Sequence, residues 1–173
     1  MFWRRRNLLS AIALKCYTLC NNRMATGGEG VTVWFQREIS LSPKRRGCHY
    51  ISEEILQACS KELGQIKIGM AIVHIKHTSA SITLNENYDP SVLTDMEMAL
   101  NKLAPESLPY THTLEGPDDM PAHVKAALMG SSVSIPITNG KFNLGTWQGV
   151  WMCEHRDHGG ARKLVVTMNG LKK

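Results

Sequence analysis

The sequence predicts an α+β fold in which a few helices pack on antiparallel sheets. Three observations carry this reading. Several short segments alternate apolar and polar residues with period two, three others bear helix start and stop signals, and Asn139-Gly140 marks a tight hairpin. About seven strands result, interrupted by the helices.

The elements follow in order. "VTVWFQREISLS", from Val31, alternates with period two and reads as a strand. "HYISEEILQACSKELG" reads as a helix with Ser52 as N-cap, Glu53 and Glu54 in the first turn and Gly64 ending it. "GMAIVHIKHTSASITLNEN" is a long β-rich run. Along it Ala71, Val73, Ile75 and His77 share one face, opposite Ile72, His74 and Lys76. "DPSVLTDMEMALNKLAP" is a helix with Asp89 as N-cap, Pro90 at its first turn and an apolar stripe of Val92, Met96, Leu100 and Leu103. A loop and a short helix, about 120 to 129, lead to Gly130. "SSVSIPI" is then a strand, "KFNLGTWQGVWMCEHR" continues as strand after the hairpin, "DHGG" is a turn, and "ARKLVVTMNG" is the last strand.

A chain of 173 residues suits one domain able to bury roughly 70% of its unfolded surface. The net charge of +5 is not spread evenly. Arg4, Arg5, Arg6, Lys15 and Arg23 lie in the first 23 residues without a single acid, and the remainder balances 15 basic against 15 acidic residues. A neutral body argues against nucleic-acid binding.

The leader, residues 1–30, is Arg-rich, holds no acid before Glu29 and contains Ser and Thr, as mitochondrial or plastid presequences do. A secretory signal and an inert extension are the other readings. Translation from Met24 would leave a cytoplasmic protein. The apolar run Leu8 to Leu14 is far too short to span a bilayer. The domain proper is expected over 31–173. Its three cysteines, Cys48, Cys59 and Cys153, are widely spaced without a CxxC pair, which reads as buried thiols rather than a disulfide scaffold or zinc ribbon.

Chemistry concentrates in "YTHTLEGPDDMPAHVKAAL". His112 and His123 flank Glu115, Asp118 and Asp119. Asp119 is suited to cap the helix and Pro121 to its first turn, which leaves His112, Glu115, Asp118 and His123 without a structural reason. His123 falls in the first helical turn, where free N–H groups favour phosphate and the helix dipole disfavours a charged imidazole. "KHTSAS" sets His77 and Ser79 on one strand face, but no GxSxG elbow accompanies them. In "LGTWQGVWMCEHRDHGG", Trp147 and Trp151 suit a core or a subunit contact, and His155 with Arg156 could meet an anion. His112, His123 and His155 with a carboxylate suit Zn or another divalent ion, although no HExxH motif is present. Neither GxGxxG nor GxxxxGK[ST] occurs.

Taken together, "HTSASITLNEN" with the following Asp89-Pro90, "HTLEGPDDMPAHVKAALMGSS", "IPITNGKFNLGTWQGVWMCEHRDHGG" and the terminal "VTMNG" resemble the YjbQ-like family, also called secondary thiamine-phosphate synthases. The likeness runs from about Val31 to Gly170. It implies a β-sandwich with packed helices, assembled as a homotrimer, with pockets near the subunit interfaces. Carried onto this sequence, the pocket residues are His77, Ser79, Asn85, Glu86, Asp95, His112, Glu115, Asp118, Asp119, His123, Asn139, Gln148, His155 and Arg156. The family implies a thiamine phosphate synthase reaction, which joins a pyrimidine-methyl diphosphate to a thiazole phosphate and expels pyrophosphate. Asp118, Asp119 and Glu115 would then hold Mg²⁺, while the first turn around His123 and Arg156 would face phosphate. A metal-dependent hydrolase and a non-catalytic trimer that binds a small anion are the alternatives.

Overall fold

In a computed structural model that describes residues 30–173, eight strands form two antiparallel sheets. In chain order the elements are β1 (Thr32–Ser40), β2 (Gly47–Tyr50), α1 (Ser52–Leu63), β3 (Ile66–Ile75), β4 (Ala80–Glu86) and α2 (Ser91–Leu103). They continue with α3 (Asp119–Met129), β5 (Ser132–Thr138), β6 (Lys141–Phe142), β7 (Gln148–Glu154) and β8 (Lys163–Lys172). One sheet has the order β1-β8-β3-β5-β6 and the other β2-β7-β4. The architecture is α+β. Residues 1–29, which carry the targeting reading and the start at Met24, lie outside the described residues. No helix among the described residues is long and apolar enough to cross a membrane.

The main core lies between the sheets. Ala71, Val73 and Ile75 of β3, Leu164, Val166 and Met168 of β8, and Ile135 and Ile137 of β5 point inward. They meet Ile82, Val150 and Met152 of the smaller sheet and the stripe Ile55, Cys59 and Leu63 of α1, spaced at i, i+4 and i+8. A second cluster forms on the far face of the smaller sheet. There Cys48, Trp151 and Cys153 pack against Val92, Leu93, Met96 and Leu100 of α2. β7 is therefore covered on both faces, which is why its sequence runs apolar without alternating.

Several local expectations need correction. Ser52 does not cap α1; its hydroxyl instead accepts the Val150 N–H at 2.8 Å and pins the helix to β7. Asp89 does cap, since its Oδ1 accepts the Ser91 N–H at 2.8 Å. Leu103 leaves the apolar stripe of α2 and is 68% exposed, because the helix ends there and Leu93 supplies the contact. The segment after the hairpin is not one strand. It leaves the larger sheet after Phe142, turns through Gly145, whose carbonyl accepts the Gln148 N–H, and enters the smaller sheet at Gln148. The hairpin itself is as expected: Asn139 and Gly140 take positive φ, 52° and 79°, as a type I′ turn requires. β2 carries no period-two signal of useful length and was not expected. Trp151 is fully buried and donates to the Glu86 carbonyl, whereas Trp147 is half exposed and meets Tyr88 edge to face.

Candidate metal centre and adjoining cleft

The short helix α3 packs on β4 and buries Ala122 and Ala126, which turns Asp119 and His123, four residues apart, to a common side. The loop before it bends back at Gly116, whose φ of 112° suits glycine, and brings His112 over the same helical turn. His112 Nε2 lies 2.9 Å from Asp119 Oδ2, and His123 Nε2 lies 3.4 Å from that same oxygen. Asp119 is 1% exposed. Its carboxylate does not cap the helix, so the capping expectation is overturned: the oxygens are turned to the two imidazoles and to Arg156.

The tautomer of His123 follows from its partners. Nδ1 lies 3.0 Å from the Thr78 carbonyl, which can only accept, so Nδ1 carries the proton. In the neutral ring Nε2 then presents a lone pair to the Asp119 carboxylate oxygen. Two acceptors face one another across 3.4 Å, an arrangement that a cation between them relieves. A ring whose second nitrogen donates to a carbonyl is also the usual posture of a metal-ligating histidine. His112, Asp119 and His123 each offer one ligand atom, all within 4.8 Å of one another. Bonds of about 2.0–2.1 Å in tetrahedral zinc sites place ligand atoms about 3.3 Å apart, close to the two spacings on Asp119 Oδ2. Two nitrogens and one oxygen suit Zn or a neighbouring transition metal better than Mg²⁺, which favours oxygen.

Arg156 organises the acidic side. Its Nε donates to Asp118 Oδ2 at 2.9 Å, its Nη1 to Asp119 Oδ1 and to Glu115 Oε2, and its Nη2 to the Glu115 carbonyl at 2.7 Å. Asp118 also accepts the Asp157 N–H at 3.0 Å. Burial pushes the Asp118 carboxyl up, but that N–H and the guanidinium outweigh it and hold the group below the usual range. These bonds change two expectations. Asp118 and Glu115 are engaged by arginine rather than free for Mg²⁺, and Arg156 spends its donors on the protein rather than on a phosphate.

Of the three histidines expected to hold a metal, the structure does not bring His155 to this group. Its ring is fully buried, with Nε2 2.9 Å from Ser81 Oγ. Burial first, then Lys125 and Arg162, lowers its pKa to about 3, so it is neutral. Asp119 takes the third place among the candidate ligands.

A cleft of about 560 Å³ opens beside His123 and is also lined by His77, Thr78 and Ala80. His77 and Ser79 do not lie on a strand; they occupy the bend between β3 and β4. Beneath them runs a buried ion pair that sequence reasoning missed. Arg162 donates from Nε and Nη2 to the two oxygens of Glu154, at 2.6 and 2.5 Å, and from Nη2 to Ser79 Oγ at 3.2 Å. The only hint was an acid closing the apolar run of β7.

The remaining expected residues lie outside both groups. Asn85, Glu86 and Gln148 sit at the far end of the β4–β7 pair, six residues or about 20 Å along the strand from Ala80. Asn85 accepts the Glu86 N–H, and Gln148 accepts the Gly145 N–H. Asp95 is exposed on α2, and Asn139 is held in the hairpin, its N–H on the Lys67 carbonyl.

The family model described as UPF0047 protein YjbQ-like matches residues 37–171. The chain belongs to the YjbQ-like family. YjbQ of Salmonella typhimurium is 47% identical over 138 residues, covering 80% of this chain and 99% of that protein. A UPF0047 protein of Synechocystis is 41% identical over 136 residues, covering 78% and 91%. Among solved structures, a YjbQ-like protein of Clostridium acetobutylicum described as uncharacterised superposes with a TM-score of 0.68 at 41% identity, covering 76% of this chain and 98% of that one. A YjbQ-like protein of unknown function from Sulfolobus solfataricus gives 0.73 at 23% identity, covering 81% and 99%, and attests the fold alone. The YjbQ-like α+β fold expected from the motifs is the fold observed.

Proposed function

We propose that the chain is a metal-dependent hydrolase of small phosphorylated compounds, with His112, Asp119 and His123 as ligands of a divalent transition metal. The observation that supports it is the convergence of two imidazole nitrogens and a buried carboxylate oxygen beside an open cleft. Three protein ligands leave positions for water and substrate, as catalytic sites require. An ion bound there supplies Lewis-acid polarisation of a phosphoryl oxygen and acidifies water. The chain's own residues have separate tasks. Thr78 fixes the His123 tautomer, Arg156 aims Asp119, and Asp118 fixes Arg156.

Coupling of a pyrimidine diphosphate to a thiazole phosphate is the second reading. The size of the cleft favours it, since about 560 Å³ has room for two small rings. Here the same ligands would stabilise departing pyrophosphate. Elemental analysis of the purified protein, then assays with phosphate esters and with the two coupling substrates, separates the readings. Zinc or manganese near one per chain with phosphate release supports hydrolysis, and condensation product supports coupling. Absence of metal after supply of zinc, manganese, cobalt and magnesium overturns both and leaves the non-catalytic anion binder.

The reading extends to assembly. The outer face of the five-stranded sheet carries Trp34, Met70 and Ile72, 69%, 47% and 43% exposed. Trp34 and Met70 are both paired with Asn169 of β8, the strand between theirs, so they share one row. Such a face suits burial in a homotrimer. Light scattering should give three chains per particle; a monomer sinks this part.

A further inference from the structure

His77 and Arg162 present two hydrogen-bond donors to each other. Two groups that can only donate are aimed at the ring, and the Lys163 N–H, at 2.8 Å from His77 Nε2, is the nearer, so Nε2 holds the lone pair. The proton of the neutral ring is then on Nδ1, which lies 3.3 Å from Arg162 Nη1. A guanidinium nitrogen cannot accept. The remaining nitrogens of Arg162 are used on Glu154 and Ser79, and Nη1 makes no other hydrogen bond among the described residues. Arg162 is 5% exposed, so a donor of a buried cation is left without an acceptor.

We infer that His77 Nδ1 and Arg162 Nη1 form an oxyanion subsite that takes the phosphoryl end of a small ligand. One anionic oxygen set against both N–H groups satisfies them together. His77 lines the cleft beside His123 and also an adjoining one, of about 460 Å³, that includes Lys76, Thr78 and Ser79. The surrounding charge suits an anion. Glu154 balances Arg162, while Lys76 and Lys163 share the single carboxylate of Glu38, which leaves an excess positive charge. Neither His112 nor Asp119 takes part, so the subsite stands whether or not a metal is bound.

The test uses the full chain treated with EDTA, titrated calorimetrically with inorganic phosphate, with acetate as the carboxylate comparison. One phosphate per chain is expected, bound more tightly than acetate. His77→Phe should weaken it at least tenfold, while His158→Ala, in the exposed turn before β8, should leave it unchanged. Tighter acetate binding reassigns the subsite to carboxylates and overturns the phosphoryl assignment. Equal phosphate affinity in wild type and His77→Phe overturns the subsite, as does binding lost with His112→Ala but not with His77→Phe. If His77→Phe does not fold, nitrogen-15 imidazole spectra of the wild type decide. Phosphate should shift the His77 Nδ1–H resonance, and an unmoved resonance overturns the proposal.

Discussion

Gly159 lies so close to Glu154 that a methyl group on its α-carbon would meet the carboxylate at 2.3–2.4 Å. The turn before β8 therefore closes over the buried Glu154–Arg162 pair, and only a hydrogen fits between them. Gly159→Ala should force the pair apart and cost about 1–3 kcal/mol, as overpacking does. Thermal unfolding checks this, and an unchanged Tm contradicts it.

Arg156 reaches the candidate metal only through Asp119. Arg156→Gln should lower zinc affinity about 10–100-fold, the usual effect of removing a group that orients a ligand. Zinc titration with a competing chelator reads this directly. Affinity equal to wild type would leave Arg156 with a purely structural role.

His155 gives the fold an acid sensitivity. The folded ring takes a proton only near pH 3, while the unfolded ring does so near 6.5. Above that both states are neutral and nothing is lost. As pH falls below 6.5 the unfolded chain binds a proton that the folded chain refuses. Stability should therefore drop by about 1.4 kcal/mol per pH unit from this group until the folded value is reached. Urea unfolding at pH 7, 6 and 5 measures the slope, and His155→Gln should flatten it.

Cys48 and Cys153 face one another across β2 and β7, with sulfurs 3.1 Å apart. Both are buried reduced thiols, as is Cys59, whose pKa burial pushes up to about 11. The hydrogen bond to Cys48, then burial, raises Cys153 as well. N-ethylmaleimide at pH 7 should label none of the three in the native state and all three in guanidinium, with positions read by mass spectrometry. Rapid native labelling of Cys153 would mean that α2 opens readily.

The sequence revealed what depends on local pattern. Period-two alternation exposed β1 and β3, and Asn139-Gly140 exposed the hairpin, because each is encoded by neighbouring residues. The same logic picked out His112 and His123, flanking Glu115, Asp118 and Asp119, as one chemical neighbourhood. It misassigned Asp119 because a carboxylate at a helix start has an ordinary local use, and nothing local announces that Arg156, thirty-seven residues on, claims it. His155 was grouped with the other histidines for its side chain alone, whereas pairing of β7 with β4 buries it beside Ser81. Arg162 was overlooked for the same reason: its partners His77, Ser79 and Glu154 are brought to it only by tertiary structure.

The place of β8 bears on how the chain acquires its shape during synthesis. Residues 163–172 form the strand between β1 and β3, so the first-made strand has no neighbour in its sheet until nearly the whole domain has left the ribosome. Until then β1 carries an open edge, the condition that invites association between nascent chains. Helper proteins that shield such edges, or a slow release of the finished chain, would matter more here than in a fold whose strands pair in the order they emerge.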